Sequence, residues 1–464
     1  MTNRSSATKS FLRCLLLAAL WTGLGTVPLQ RGWGWNPTGA PAKKKRPATE
    51  KVATVTNVTP IPEPGPALSP GEWEPFVEPE RQIFPSLLLA SATLKSPLRG
   101  AEAPEVAQDA TAPKRREPPA ARPPPAVPTP ETFGDENGLL GVTIISPGDG
   151  AHARVEIKEN ALMAASAVEA DLPEKGREYH LLPRVDYKYD ALNRVRQSHP
   201  VNVTFAVTVD GKNLGERFVT ARVHSINDCP YAYQNPDDPK DYVDIAWMFA
   251  AYVNEDHPAI PGLLKEAQDA GVVDGFDAYQ SGDAGTVLLQ VFAVWQALRE
   301  HRIRYSDIGT TTDESNVLYS LHIRFMEEAL TEAHANCVDA SAMLASVLRR
   351  MGIDTFLVME PGHMYLGVYL DKESKQTACL ETTMLGDPDP AKCVENRALS
   401  KSATPAVKKL KGWKCFNAAL DNATRDFRKH REKFERANDP DYEIIDIAAA
   451  RQQGIAPVGY VKPE

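Results

Sequence analysis

The sequence has no phosphate-binding loop, no glycine-rich dinucleotide fingerprint and no Cys-x-x-Cys pair. The sequence signatures of nucleotide binding and of dithiol redox chemistry are therefore missing. The C-terminal two thirds has no block of basic residues interleaved with aromatics, so nucleic acid is not an expected partner. Metal ligation has little to build on: His334 and Cys337 stand at a workable spacing, but two ligands at a helix start make a poor site. No metal and no organic cofactor is expected. The apolar run Cys14–Val27 (CLLLAALWTGLGTV) is short for a membrane span.

That run does suit a secretory signal. Arg4, Lys9 and Arg13 precede it as a positive flank, and residues 1–30 are expected to be a signal peptide or an uncleaved N-terminal anchor. The expected location is exported: periplasmic, cell-envelope or secreted. Five of the six cysteines follow this segment, at 229, 337, 379, 393 and 415. Two readings stay open, one free thiol with up to two disulfides or five reduced thiols.

The 464 residues divide by composition. Residues 36–135 hold more than half of the prolines, with charged clusters such as Lys43–Arg46 and Lys114–Glu117. They are expected to be a disordered linker, with one apolar exception, Ile83–Ala92, able to dock on something. Residues 139–233 change to short alternating runs. Val201–Val209 and Arg217–His224 flank an Asp210-Gly211 turn, a hairpin signal, and a small antiparallel β-sandwich is expected there. From Tyr242 the period becomes helical, with helices expected over Tyr242–Val253, Thr286–Glu300 and Val317–Glu332. Lys392–Lys414 reads as an irregular excursion, and Asn417–Arg436 as a charged helix. Tyr442–Ile455 holds a short apolar element that closes the fold. The basic cluster Lys408–Lys414 reads as a solvated face, or as a contact for an anionic envelope component. The sequons at Asn57, Asn202 and Asn422 are chance-level matches.

The chemistry concentrates between residues 336 and 384. Asn336–Met351 (NCVDASAMLASVLRRM) reads as a capped helix, with Asn336 as N-cap and Cys337 at the first helical position. The helix dipole and the unpaired amides of that turn favour a thiolate and can stabilise an oxyanion. Asp339, in the same turn, opposes that effect. Three strands are expected next: Thr355–Met359, His363–Leu370 after a Pro361-Gly362 turn, and Thr377–Met384. A turn centred near Lys372 sets His363 opposite Glu381, and one centred on Glu373 sets them diagonally on one face. A carboxylate beside an imidazole fixes its tautomer for proton exchange with a thiol.

These stretches, NCVDASAMLASVLRRMGI, PGHMYLGVYLD and CLETTM, resemble the core of the transglutaminase-like superfamily, here in an exported bacterial form. The resemblance is specific from about Leu318 to Leu385. It implies an α+β fold with a papain-like/transglutaminase-like core over residues 240–464, extended by C-terminal helices. It also implies Cys337 as nucleophile, His363 as general base and acid, and Glu381 as the residue that orients His363. Three departures stand out: Glu381 replaces the family's more frequent Asp, Thr382-Thr383 follow where Pro-Thr is common, and Met364-Tyr365-Leu366 stands where aromatic-x-Glu is often seen. The second oxyanion donor has two candidates, Tyr319 and His322. The implied activity is hydrolysis or acyl transfer at protein or peptide amides, with cell-envelope material among the possible substrates. The alternative is a catalytically inactive scaffold acting as an envelope binding or structural protein. Oligomeric state is not readable.

Overall fold

A computed structural model describes residues 68–94, 130–135, 138–234, 242–306, 318–434 and 442–459. The expected signal or anchor lies outside these residues, as does most of the proline-rich stretch. The protein is mixed α+β, with several separate sheets.

In chain order the first unit comprises β1 (Trp73–Val77), β2 (Gln82–Ile83), α1 (Pro85–Ser91), β3 (Glu131–Gly134), β4 (Leu140–Ile145), β5 (Ala151–Ile157) and β6 (Ser166–Leu172). It continues with β7 (Glu178–Leu182), α2 (Tyr189–Asn193), β8 (His199–Val209) and β9 (Lys212–Val223). The β8–β9 hairpin forms because Asp210 and Gly211 both take positive φ, the two-residue turn that matches strand twist. Two sheets result, ordered β1-β4-β7-β3 and β2-β9-β8-β5-β6. Trp73, Ile144 and Tyr179 of the first share one core with Val155, Phe205 and Val207 of the second. The sandwich is not purely antiparallel, since β3 runs parallel to β7 and β2 parallel to β9.

Both parallel strands come from the stretch expected to be a linker. Residues 68–94 and 130–134 are built into the fold, which corrects the assignment of 36–135 as disordered throughout. The stretch carries core residues among its prolines: Trp73, Val77, Ile83 and Phe84 are buried. Helix α1, within the apolar exception, bridges the two units. Leu88 enters the sandwich core, Ala90 enters the C-terminal core, and Ser86 Oγ donates to the Asp228 carbonyl at 2.6 Å.

The second unit begins earlier than expected. Strand β10 (Asp228–Gln234) pairs with β11 (Tyr242–Asp244) and with a later strand, not with the sandwich. There follow α3 (Ile260–Asp269), α4 (Ala284–Glu300), β12 (Arg304–Tyr305), β13 (Leu318–His322), α5 (Met326–Glu332), β14 (His334–Ala335) and α6 (Cys337–Arg350). Then come β15 (Thr355–Glu360), β16 (His363–Tyr369), β17 (Thr377–Leu380), α7 (Arg397–Ser402), α8 (Trp413–Phe434), β18 (Glu443–Asp446) and α9 (Ile447–Gln453). The four-stranded antiparallel sheet β17-β16-β15-β18 is the centre of this unit. Leu357, Leu366 and Val368 face Leu344 and Leu348 of α6. The other face packs Phe356, Tyr365 and Cys379 against Ala423 of α8.

Several local expectations change. Tyr242–Val253 is a strand followed by a 3-10 helix over Ala246–Tyr252, because Asp244 Oδ1 takes the Ala246 amide at 2.7 Å and restarts the chain. Val317–Glu332 is not one helix but β13 and α5, since β13 is drawn into pairing with β10. Lys392–Lys414 contains α7, capped by Asn396 at the Leu399 amide. Tyr442–Ile455 closes the sheet as the edge strand β18 and then forms α9. Cys229, Cys337, Cys379, Cys393 and Cys415 are all free thiols. Among the described residues no helix is long and apolar enough to cross a membrane.

Candidate active site

Helix α6 starts at a fully formed capping box. Asn336 Oδ1 accepts the amides of Val338 and Asp339, each at 2.9 Å, and Asp339 Oδ2 accepts the Asn336 amide at 3.0 Å. Cys337 therefore sits at the first helical position, 1% exposed. The cap consumes two amides expected to serve an oxyanion, those of Val338 and Asp339. Asp339 does not act as a bare opposing charge. Burial pushes its carboxyl up, and its oxygens are taken by the cap and by Arg324, through the backbone N–H at 2.9 Å and Nη1 at 3.1 Å.

The imidazole is set by a turn. Glu360 and His363 pair across Pro361-Gly362, with Gly362 at φ 72°, the geometry a Pro-Gly type II turn supplies. Strand β17 pairs Leu366 with Leu380 and Tyr369 with Thr377, so the hairpin is centred on Glu373. That is the diagonal arrangement, and His363 Nε2 meets Glu381 Oε2 at 2.7 Å. Glu381 itself is not within a strand as expected. The strand ends at Leu380, and Glu381 caps a 3-10 helix over Thr382–Met384, turning off the sheet edge.

The two threonines after Glu381 are residues that sequence reasoning left without a role. Thr383 donates to Glu381 Oε1 from its amide at 3.1 Å and its hydroxyl at 2.6 Å. Thr382, buried, shares a 2.9 Å hydrogen bond with Ser341 of α6 and donates to the Cys337 carbonyl at 3.4 Å. One threonine thus holds the carboxylate, and the other ties its turn to the cysteine helix.

Electrostatics link the three groups. Burial alone would lower the His363 pKa, but hydrogen bonding and charge from Cys337 and Glu381 outweigh it and raise the value to about 10. Burial likewise acts to raise Glu381, yet its bonds to His363 and Thr383 leave its carboxyl below the ordinary range. Glu381 holds Nε2, so Nδ1 is the ring nitrogen not taken by the carboxylate.

No family model, curated protein or solved structure matches the chain. The chemistry of the site therefore rests on its own geometry. Of the other expected contributors, His322 Nδ1 bonds Asp228 Oδ1 at 3.0 Å, and the Tyr319 ring packs 6.3 Å from that of Tyr231. His334 is exposed and bonds the Glu332 carbonyl at 2.8 Å. Among the described residues no group of three or more His, Cys, Asp or Glu side chains is arranged to hold a metal. Other histidine–carboxylate pairs exist, His257 with Glu327 at 2.8 Å and His430 with Glu360 at 2.9 Å. In His363–Glu381 the turn of the carboxylate is tied to the cysteine helix through Thr382. A thiol, an imidazole and a carboxylate coupled in that order can form and break an acyl bond to sulfur.

Proposed function

We propose that the protein is a cysteine-nucleophile enzyme with a transglutaminase-like core, acting on protein or peptide amides by hydrolysis or acyl transfer. The observation that carries this reading is the 2.7 Å bond of His363 to Glu381, whose turn is tied through Thr382 to the carbonyl of Cys337. His363 first takes the thiol proton of Cys337, which its raised pKa helps it hold. The Cys337 sulfur attacks the amide carbonyl, and the Cys337 N–H stabilises the oxyanion. The C–N bond then breaks as His363 gives its proton to the leaving nitrogen. Water or an amine next attacks the thioester, surrenders a proton to His363 and releases the sulfur. Export, proposed on the Cys14–Val27 run, would set cell-envelope polypeptides among the substrates.

Full-length protein incubated with p-nitrophenyl acetate, a small activated acyl donor, tests this directly. Peptide mass spectrometry should find the acetyl group first on Cys337, with the adduct lost in Cys337→Ser and delayed in His363→Ala. Acetylation at Cys393 as fast as at Cys337 would contradict it. Adding a primary amine then separates the outcomes, since an acyltransferase delivers the acetyl group to the amine and a hydrolase to water.

One observation favours a second reading, an inactive scaffold: Cys337 is only 1% exposed. On that reading the thiol stays unacylated even by so small a donor.

A further inference from the structure

The segment from Asp387 to Lys414 carries seven basic side chains against three acidic ones, in a chain whose formal net charge is −9. Two of the acids are spent internally. Asp389 accepts the amides of Gly412 at 2.8 Å and Cys415 at 2.9 Å. Glu395 accepts Trp413 Nε1 at 3.2 Å and Ser400 Oγ at 2.7 Å. Meanwhile Lys392, Arg397, Lys401, Lys409, Lys411 and Lys414 are exposed, and among the described residues none of them has a carboxylate within ion-pair distance.

Two contacts draw the basic stretches of this segment together. Lys408 Nζ reaches Ser400 at 2.9 Å, joining the 3-10 turn Val407–Lys409 to α7, and Lys414 Nζ lies 3.5 Å from the Ala391 carbonyl, joining the start of α8 to the strip before it. The segment is anchored beside the candidate site. The Cys415 thiol donates to the Met384 carbonyl at 3.2 Å, and Arg299 Nη1 holds the Leu385 and Asp387 carbonyls at 2.9 and 2.8 Å. The 3-10 helix that ends at Met384 is the one Glu381 caps.

We infer that this surface docks acidic polypeptide and steers carboxylate-rich substrate segments toward Cys337. The naming of the partner as substrate rests on the cysteine-nucleophile reading; the docking does not. Lysine predominates, and its ammonium groups are mobile point charges, suited to carboxylates spread along a flexible chain. Paired planar forks, which favour phosphate, are not what this surface offers. Trp413 is buried with its N–H on Glu395, so it gives a nucleic acid no ring for base stacking. Val394, 68% exposed within the strip, adds an apolar contact of the size a peptide side chain meets.

The test uses the full chain carrying Cys337→Ser, which binds without turnover, and fluorescein-labelled poly-glutamate read by anisotropy. Binding should weaken about tenfold between ~0.05 and ~0.5 M sodium chloride. It should weaken by at least about tenfold when Lys392, Lys401, Lys409 and Lys411 are all changed to Glu, an energy of ~1.4 kcal/mol. The same salt series with poly-lysine guards against non-specific capture, and a melting curve checks that the variant is folded. Equal affinity in both proteins, or equal binding of poly-lysine, overturns the inference. So does tighter binding of dextran sulfate or phosphatidylglycerol vesicles, which would assign the surface to a glycan or a membrane. Failure of docking with Cys337 still acylated would leave the enzymatic reading standing, and the reverse result would leave the docking standing.

Discussion

Thr383 occupies the oxygen of Glu381 that His363 does not use. Its amide and hydroxyl donate to Oε1 at 3.1 and 2.6 Å, while Oε2 lies 2.7 Å from the imidazole. The carboxylate is thereby oriented from both sides.

Thr383→Val removes the hydroxyl and keeps the amide. Thr383 is a positioning residue, so the alkylation rate of Cys337 should fall about tenfold, the equivalent of ~1.4 kcal/mol at the transition state. The pH at which that rate changes should shift as well, whereas Thr383→Ser restores both. A merely structural threonine would leave the pH profile unmoved.

The imidazole makes stability pH-dependent. Its pKa is raised from 6.5 to about 10 in the fold, so the stability it contributes is complete below about pH 6.5 and is lost as pH rises through about 10. Urea unfolding of wild type and His363→Ala should show their difference narrowing across that window. A difference that widens on going alkaline would reverse the sign and the assignment. Glu381, whose carboxyl is lowered, acts oppositely: its contribution is present above the ordinary carboxylate range and is lost on acidification.

Ser341 and Thr382 are both buried and share one hydrogen bond. Thr382→Val strands the Ser341 hydroxyl and should cost about 1–3 kcal/mol. Combining it with Ser341→Ala should cost less than the sum of the single changes. Chemical denaturation of the four proteins measures the coupling, and strict additivity would deny it.

Trp73 tests whether the proline-rich stretch belongs to the sandwich. It is 1% exposed, with the Arg217 guanidinium 4.7 Å from its ring centre. Trp73→Ala should destabilise by about 3–5 kcal/mol, read by thermal or urea unfolding. An unchanged unfolding curve would mean that β1 contributes nothing.

Signals confined to neighbouring residues were the legible ones. Asn336 before Cys337 marks a helix start, Pro361-Gly362 marks the turn that opens β16, and Asp210-Gly211 marks a hairpin. In each case the turn chemistry and the side-chain period agree. What escaped depends on distant partners. Strand β1 has no neighbour in sequence, and its partner β4 arrives only after the prolines. Strand β13 looks helical by period but is captured by β10, about ninety residues upstream. The roles of Thr382 and Thr383 were invisible because one depends on Ser341 in a different element, and the other on where β17 stops. Arg324 was missed for the same reason, since its partner Asp339 belongs to α6, beyond α5 and β14.

The central claim is that His363 activates Cys337. Iodoacetamide applied to the full chain, with labelling followed at each cysteine by peptide mass spectrometry, tests it most directly. Cys337 should react first despite being buried, ahead of the partly exposed Cys393, and should lose that lead in His363→Ala. Cys393 reacting first, or a Cys337 rate indifferent to His363, would contradict the account.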